Sequence, residues 1–187
     1  MAIGLFAIVS AIAVMLLTRG MRLTARENAY IELEQTSHFL LQNVESDLLH
    51  SGISGVSYGP PGNSDYAVMA VNRVADVTAE GQLVWDGEQA AYLQHKPSKN
   101  LKRLLINRGD PLNKTPRTLS PGDFDALTAL PNPEVELVLD GVETFLVRND
   151  RSDNSSRLVH IDLLLTRPAP GNEKRTYRVQ KTIALRN

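Results

Sequence analysis

The chain contains no cysteine. Disulfides and thiolate metal sites are therefore excluded, and the fold stands without covalent staples whatever compartment holds it. Neither charge is in excess: 20 Lys and Arg against 21 Asp and Glu leave −1. That balance argues against a general nucleic-acid binder, whose phosphate contacts need a basic surplus. No Lys or Arg precedes the first apolar run and no small-residue cleavage site follows it, so the marks of a secretory signal peptide are missing. There is no Gly-rich phosphate loop and no GxSxG elbow. The four histidines, His38, His50, His95 and His160, share no metal-ligand spacing. His38 and His50 fit a solvated helix face, and His160 the polar face of a strand. No catalytic constellation is visible, so an enzyme is not expected. Internal repeats and long low-complexity runs are also absent. What remains is 187 residues, 42% of them hydrophobic, enough for one ordinary domain and an appendage.

The appendage is at the N-terminus. From Ala2 to Leu17, in "MAIGLFAIVSAIAVMLL", every residue is apolar or small, with Ser10 the single hydroxyl. Leu5, Phe6, Val9, Ile12, Ala13 and Leu16 are the positions expected to face the membrane. As a helix it is about 24 Å long, against a hydrocarbon core of about 30 Å. A helix apolar around its whole circumference at a chain end reads as a membrane anchor rather than a core helix. Arg19, Arg22 and Arg26 follow it, and the positive-inside tendency would place that side in the cytoplasm. The same helix then becomes amphipathic. Ala29, Leu33, Leu40, Val44 and Leu48, with Leu41 beside them, form a stripe. Leu33, Leu40, Val44 and Leu48 are the expected helix-on-sheet contacts, and Phe39 to Leu49 is expected to lie on the domain. Glu27, Glu32, Glu34, Gln42, Glu45 and Asp47 take other faces. Gly52 and Gly55 supply a stop.

Residues 51–187 read as a β-rich domain following a 1–50 helix. "SGISGVSYGPPGNSD" is turn-rich. The strand candidates "YAVMAVNRV", "QLVWDG", "QAAYLQH" and "LKRLLINRG" follow. Pro111 to Pro133 reads as a long loop with one helical turn at Phe124 to Leu130. "VELVLDGVETFLVRND" reads as two runs around a turn at Asp140-Gly141. In "RLVHIDLLLTR", Val159, Ile161, Leu163 and Leu165 alternate onto one face, as do Tyr177, Val179, Ile183 and Leu185 in the last run. Half-buried antiparallel strands carry this pattern. The expected class is α+β, a long N-terminal helix packed by its C-terminal half on an antiparallel sheet. The basic run Lys96, Lys99, Lys102, Arg103 and Arg108 lacks interleaved aromatics and reads as a solvated loop and strand edge.

This layout resembles a type IV pilin or pseudopilin. "QTSHFLLQNVESDLLHSGISGV" resembles the end of the long helix in PilW-like minor pilins and J-type type II secretion pseudopilins, with Gln35, Phe39, Asp47 and Gly52 at the matching places. "LDGVETFLV" and the terminal "TIALRN" resemble the family's later strands. The resemblance covers both ends and hardly the middle. It implies a non-enzymatic filament subunit of the minor, initiating or tip kind. It would sit in the inner membrane with a periplasmic domain, or in a surface filament. Its partners would be other pilins or pseudopilins and an inner-membrane assembly platform, in a hetero-oligomer. The family's processing motif, Gly followed by Phe-Thr-Leu-x-Glu, is not in this chain. Aligning Asp47 with the family's acidic position puts that motif and a basic leader upstream of Met1. About six more apolar residues would lengthen the anchor to about 33 Å, and the leader would resolve the orientation conflict.

Some shaft-type pseudopilins bind calcium, and Asp150, Ser152 and Asn154, with Asp153 between, have the rhythm of calcium ligands. Ser155 stands where a Gly belongs and no Glu closes the loop, so a strand connection is expected and no cofactor. The other reading of the whole chain is a single-span protein whose periplasmic domain binds a ligand or partner and never polymerises.

Overall fold

The computed structural model describes residues 2–59, 65–107, 115–116, 119–128, 135–149, 158–171 and 173–185. It is α+β: one long N-terminal helix, α1 (Ala2–Leu49), and two antiparallel sheets. After α1 come a 3-10 turn (Ile53–Gly55), β1 (Val56–Gly59), β2 (Tyr66–Val77), β3 (Leu83–His95), β4 (Asn100–Asn107), α2 (Pro121–Thr128), β5 (Val135–Asp140), β6 (Val142–Asn149), β7 (Leu158–Ala169) and β8 (Glu173–Ala184). Strands β1 to β5 form one meander and β6 to β8 a second. The single expected sheet is thus two.

Asp140-Gly141 is where they part. The two runs flanking it do not pair with each other: β5 pairs with β4, and β6 with β7. The expected hairpin turn is a sheet switch instead. Gly141 has φ +79°, the left-handed region that glycine enters without penalty, and a Cβ there would overlap the Thr166 carbonyl oxygen. Its own carbonyl accepts from Thr166 N–H at 2.7 Å, and Val142 N–H donates to Lys99 O at 2.7 Å. The crossing therefore satisfies backbone groups of both sheets. Gln94 on β3 ties them a second time: Nε2 donates to Val142 O at 2.9 Å, and Oε1 accepts from Phe145 N–H at 3.0 Å.

"QLVWDG" and "QAAYLQH" are one strand, β3, rather than two. Asn72 faces Gln89 and Val74 faces Trp85, so one β2 residue stands opposite three on β3. Asp86, Gly87 and Glu88 are absorbed as a bulge. Beyond the bulge β2 and β3 are buried on both faces. Met69, Val71, Ala90 and Tyr92 point to the main core with α1, while Val68, Ala70, Ala91 and Leu93 meet Leu119, Phe124 and Leu127 around α2. This explains continuous apolar runs where a one-sided sheet would alternate. The three-stranded sheet is one-sided: Val159, Ile161, Leu163 and Leu165 are buried while the residues between them are half-exposed.

Helix α2 begins three residues before the expected turn at Phe124, because Ser120 and Asp123 form a capping box. Ser120 N–H donates to Asp123 Oδ2 at 2.9 Å and Asp123 N–H to Ser120 Oγ at 3.3 Å. Pro121 at the first helical position has no N–H to leave unpaired.

Candidate functional site

Helix α1 has two halves with different surroundings. Among the described residues it is the one helix long and apolar enough to cross a membrane, and its apolar window is not buried at all. Phe6 is 75% exposed, and Val9, Ile12, Ala13 and Leu16 are exposed as well; the Leu5 side chain lies outside the described residues. Met21 and Leu23 continue the exposed apolar surface past Arg19 and Arg22. From Gly4 to Leu23 the helix is about 30 Å long, matching a hydrocarbon core of about 30 Å, with Arg19 and Arg22 near its far end. Thr18 does not interrupt it, because its hydroxyl donates back to Val14 O, which leaves no polar group seeking a partner.

The second half is docked. Leu33, Leu40, Leu41, Val44 and Leu48 are buried in the main core with residues of both sheets. The contact strip also carries polar members. Ser37 is buried, with its hydroxyl returned to Glu34 O at 2.7 Å. Asp47 is 1% exposed, against the expectation that it occupies a polar face. The helical spacing contained the signal, since Asp47 is seven residues after Leu40 and three after Val44. The segment from Phe39 to Leu49 lies on the domain through Leu40, Leu41, Val44 and Leu48, while its end residues Phe39 and Leu49 face outward and are 52% and 43% exposed.

Asp47 is saturated with donors. Tyr92 Oη donates to Oδ2 at 2.6 Å, Arg103 Nε to Oδ2 at 2.9 Å and Nη2 to Oδ1 at 3.0 Å, and Arg73 Nη2 to Oδ1 at 2.6 Å. Burial pushes the Asp47 pKa up, but the hydrogen bonds from Arg103, Tyr92 and Arg73 together hold it below the usual carboxylate range. Burial and the adjacent Asp47 charge push the Tyr92 phenol up. Burial pulls Arg103 down, yet its bonds and charge attraction to Asp47 leave it raised, so the ion pair persists across ordinary pH. Arg103 was expected to be solvated with the rest of its basic run; it is buried, while Lys96 and Lys102 are exposed and Lys99 pairs with Glu143 at 2.6 Å. Arg108 lies outside the described residues. The cluster pins the helix to the middle of the five-stranded sheet. Every acceptor on Asp47 is engaged within the fold, which suits an anchor better than a reactive group.

Along the other sheet the helix is clamped by ion pairs. Arg26 meets Glu173 at 2.7 Å, Glu32 meets Arg167 at 2.8 Å and Glu45 meets Lys181 at 2.6 Å. The Tyr30 and Tyr177 rings stack edge to face at 5.6 Å. At the end of α1, Gly55 leaves room for Trp85, whose ring a Cβ there would overlap.

No protein-family model, no curated protein and no solved structure matches this chain. The geometry therefore carries the functional argument. Among the described residues no three His, Asp or Glu side chains converge as a metal site, and the Asp150–Asn154 stretch lies outside them. His38 and His50 are exposed on α1, and His160 sits on the outer face of β7 with Nδ1 2.9 Å from Thr182 Oγ1. A cleft of about 450 Å³ opens between the sheets, lined by Tyr58, Tyr66, Met69, Lys96 and Phe145.

Proposed function

We propose that this chain is a non-enzymatic structural subunit of a type IV pilus-like or type II secretion-like filament. In this reading it is a minor, initiating or tip subunit, held in the inner membrane by the first half of α1 with its sheets in the periplasm. The observation that carries the reading is the bare apolar rod rigidly continued into a helix half-embedded in two sheets. A soluble domain has no use for some 30 Å of exposed, largely apolar helix. A subunit that moves between bilayer and filament does. In lipid the rod is solvated by acyl chains, and in a filament core it is covered by neighbouring rods. Exchange between two apolar surroundings costs little, because lipid tails are as apolar as the side chains they replace. The outward Ile31 and Phe39 extend the sticky surface beyond the membrane, where sister helices would cover it.

The test is recovery of the full chain, expressed in its own host, with sheared surface filaments or with a small complex of pilin-like proteins. Val9→Glu or Ala13→Arg should abolish recovery while leaving the sheet domain folded. A chain that stays monomeric in the membrane, or one that functions unchanged with either substitution, overturns the reading. The first outcome would instead favour a membrane-anchored binding domain, with the inter-sheet cleft as its site.

A further inference from the structure

The β7–β8 hairpin runs down the helix toward the bare rod. Lys181 meets α1 at Glu45 and Glu173 meets it at Arg26. Those contacts are separated by nineteen helix residues, about 28 Å of rise, and by eight strand residues, about 26 Å. The near equality means that β8 lies almost parallel to the helix axis, with its hairpin tip nearest the apolar end. Arg26 is three residues past Leu23, the last large exposed apolar residue before Tyr30, or about 4.5 Å along the axis. The headgroup layer on each side of a bilayer is about 5–8 Å deep. A rod embedded up to Leu23 thus puts the hairpin tip at headgroup level.

The unpaired charge at that level is mostly positive. Glu173 is neutralised by Arg26 and Arg167 by Glu32. Lys174 and Arg175 remain exposed there and outside any ion pair among the described residues, against the single carboxylate of Glu27. Arg22 and Arg19, also exposed and outside any ion pair among the described residues, start about 1.5 and 6 Å on the hydrocarbon side of Leu23 and reach that level by extending their long side chains outward. Arg175 shares a recess of about 290 Å³ with Arg26, Glu27, Tyr30 and Ile31.

We infer that this basic collar, the β7–β8 tip with Arg19 and Arg22, seats on anionic phospholipid headgroups. It thereby holds the sheet domain down against the bilayer while the subunit resides in the membrane. The inference rests on the membrane anchoring proposed above. Each cation near an anionic surface shifts the docked-to-free ratio about fivefold.

The native chain has no cysteine, so a single one can be labelled cleanly. The full chain is reconstituted in phosphatidylcholine vesicles with or without phosphatidylglycerol, with a fluorophore at Pro168→Cys or at Ser10→Cys. Quenching by headgroup-bound and acyl-chain-bound probes is then read. The Pro168 label should approach the headgroups when phosphatidylglycerol is present and retreat in high salt. Lys174→Gln with Arg175→Gln should lower the docked-to-free ratio about fivefold for each cation removed. The Ser10 label should sit in the acyl core in every vesicle. If the Ser10 label behaves so and the Pro168 signal ignores both phosphatidylglycerol and the double substitution, the headgroup contact is refuted while the anchor stands. A Ser10 label outside the acyl core refutes the anchor and the collar together.

Discussion

Arg103 on β4 grips Asp47 on α1 with two hydrogen bonds, Nε to Oδ2 at 2.9 Å and Nη2 to Oδ1 at 3.0 Å, and both side chains are buried. A charged bond thus joins the helix to the interior of a sheet whose contact with it is otherwise mainly apolar. Asp47→Asn leaves the Arg103 guanidinium buried without its counter-charge and should cost about 3–5 kcal/mol, read by denaturant unfolding of the full chain in detergent micelles. Asp47→Leu combined with Arg103→Met and Tyr92→Phe, which removes the buried charge pair and the phenol that would lose its acceptor, should recover most of that loss, since Arg73 is one-third exposed and can turn to water.

The same carboxylate sets an acid limit. Its folded pKa lies below the ordinary 3.8. Its contribution is therefore fully present above the unfolded pKa and is lost as pH falls through the folded value. Unfolding midpoints measured downward from pH 5 should fall more steeply below about pH 4 for the native chain than for Asp47→Asn. Equal slopes would assign the acid sensitivity to other carboxylates.

Gln94 is a buried side-chain staple between the sheets, and no apolar residue can replace its two bonds. Gln94→Leu keeps the volume but strands Val142 O and Phe145 N–H. The expected cost is about 1–3 kcal/mol for each buried group left unpaired. Hydrogen exchange at Phe145 should accelerate accordingly, and native-like protection there would contradict the assignment.

Two glycines with nearly the same backbone separate conformation from crowding. Gly81 has φ +80° and open space around a Cβ, whereas Gly141 has φ +79° and the Thr166 carbonyl in the way. Gly81→Ala should cost the conformational penalty alone, about 1–2 kcal/mol. Gly141→Ala should cost clearly more and lower expression, because the sheet switch must open. Equal unfolding midpoints for the two variants would remove the special role of that crossing.

In the rod, Val9→Glu places a carboxylate at the middle of the apolar half. Membrane insertion of the helix should become less favourable by about 2.5–3.5 kcal/mol, measured as the inserted fraction in a translocation assay. Phe39→Ala, on the exposed outer face of the docked half, should leave insertion and unfolding midpoint unchanged. In the filament reading it should weaken recovery with sister subunits.

The parts of this architecture that depend on one element at a time were legible in the residues. Solid apolarity from Ala2 to Leu17 marked the rod, spacing of three and four marked Leu33 to Leu48, and strict alternation marked Val159 to Leu165. Where reading failed, the partner lay far away in the chain. Asp140-Gly141 has the composition of a hairpin turn, but β5 and β6 each found a better partner elsewhere. Gly87 looked like a strand break, and pairing on both sides absorbed it as a bulge. Asp47 and Arg103 each look solvated alone; 56 residues apart, they can be buried because each supplies the other's missing charge. The sequence by itself determined which faces are apolar, since side-chain periodicity is local. The tertiary structure decided which polar groups could leave water and which strands share a sheet. Those outcomes depend on distant groups meeting with matched hydrogen bonds, and no local pattern encodes such a meeting.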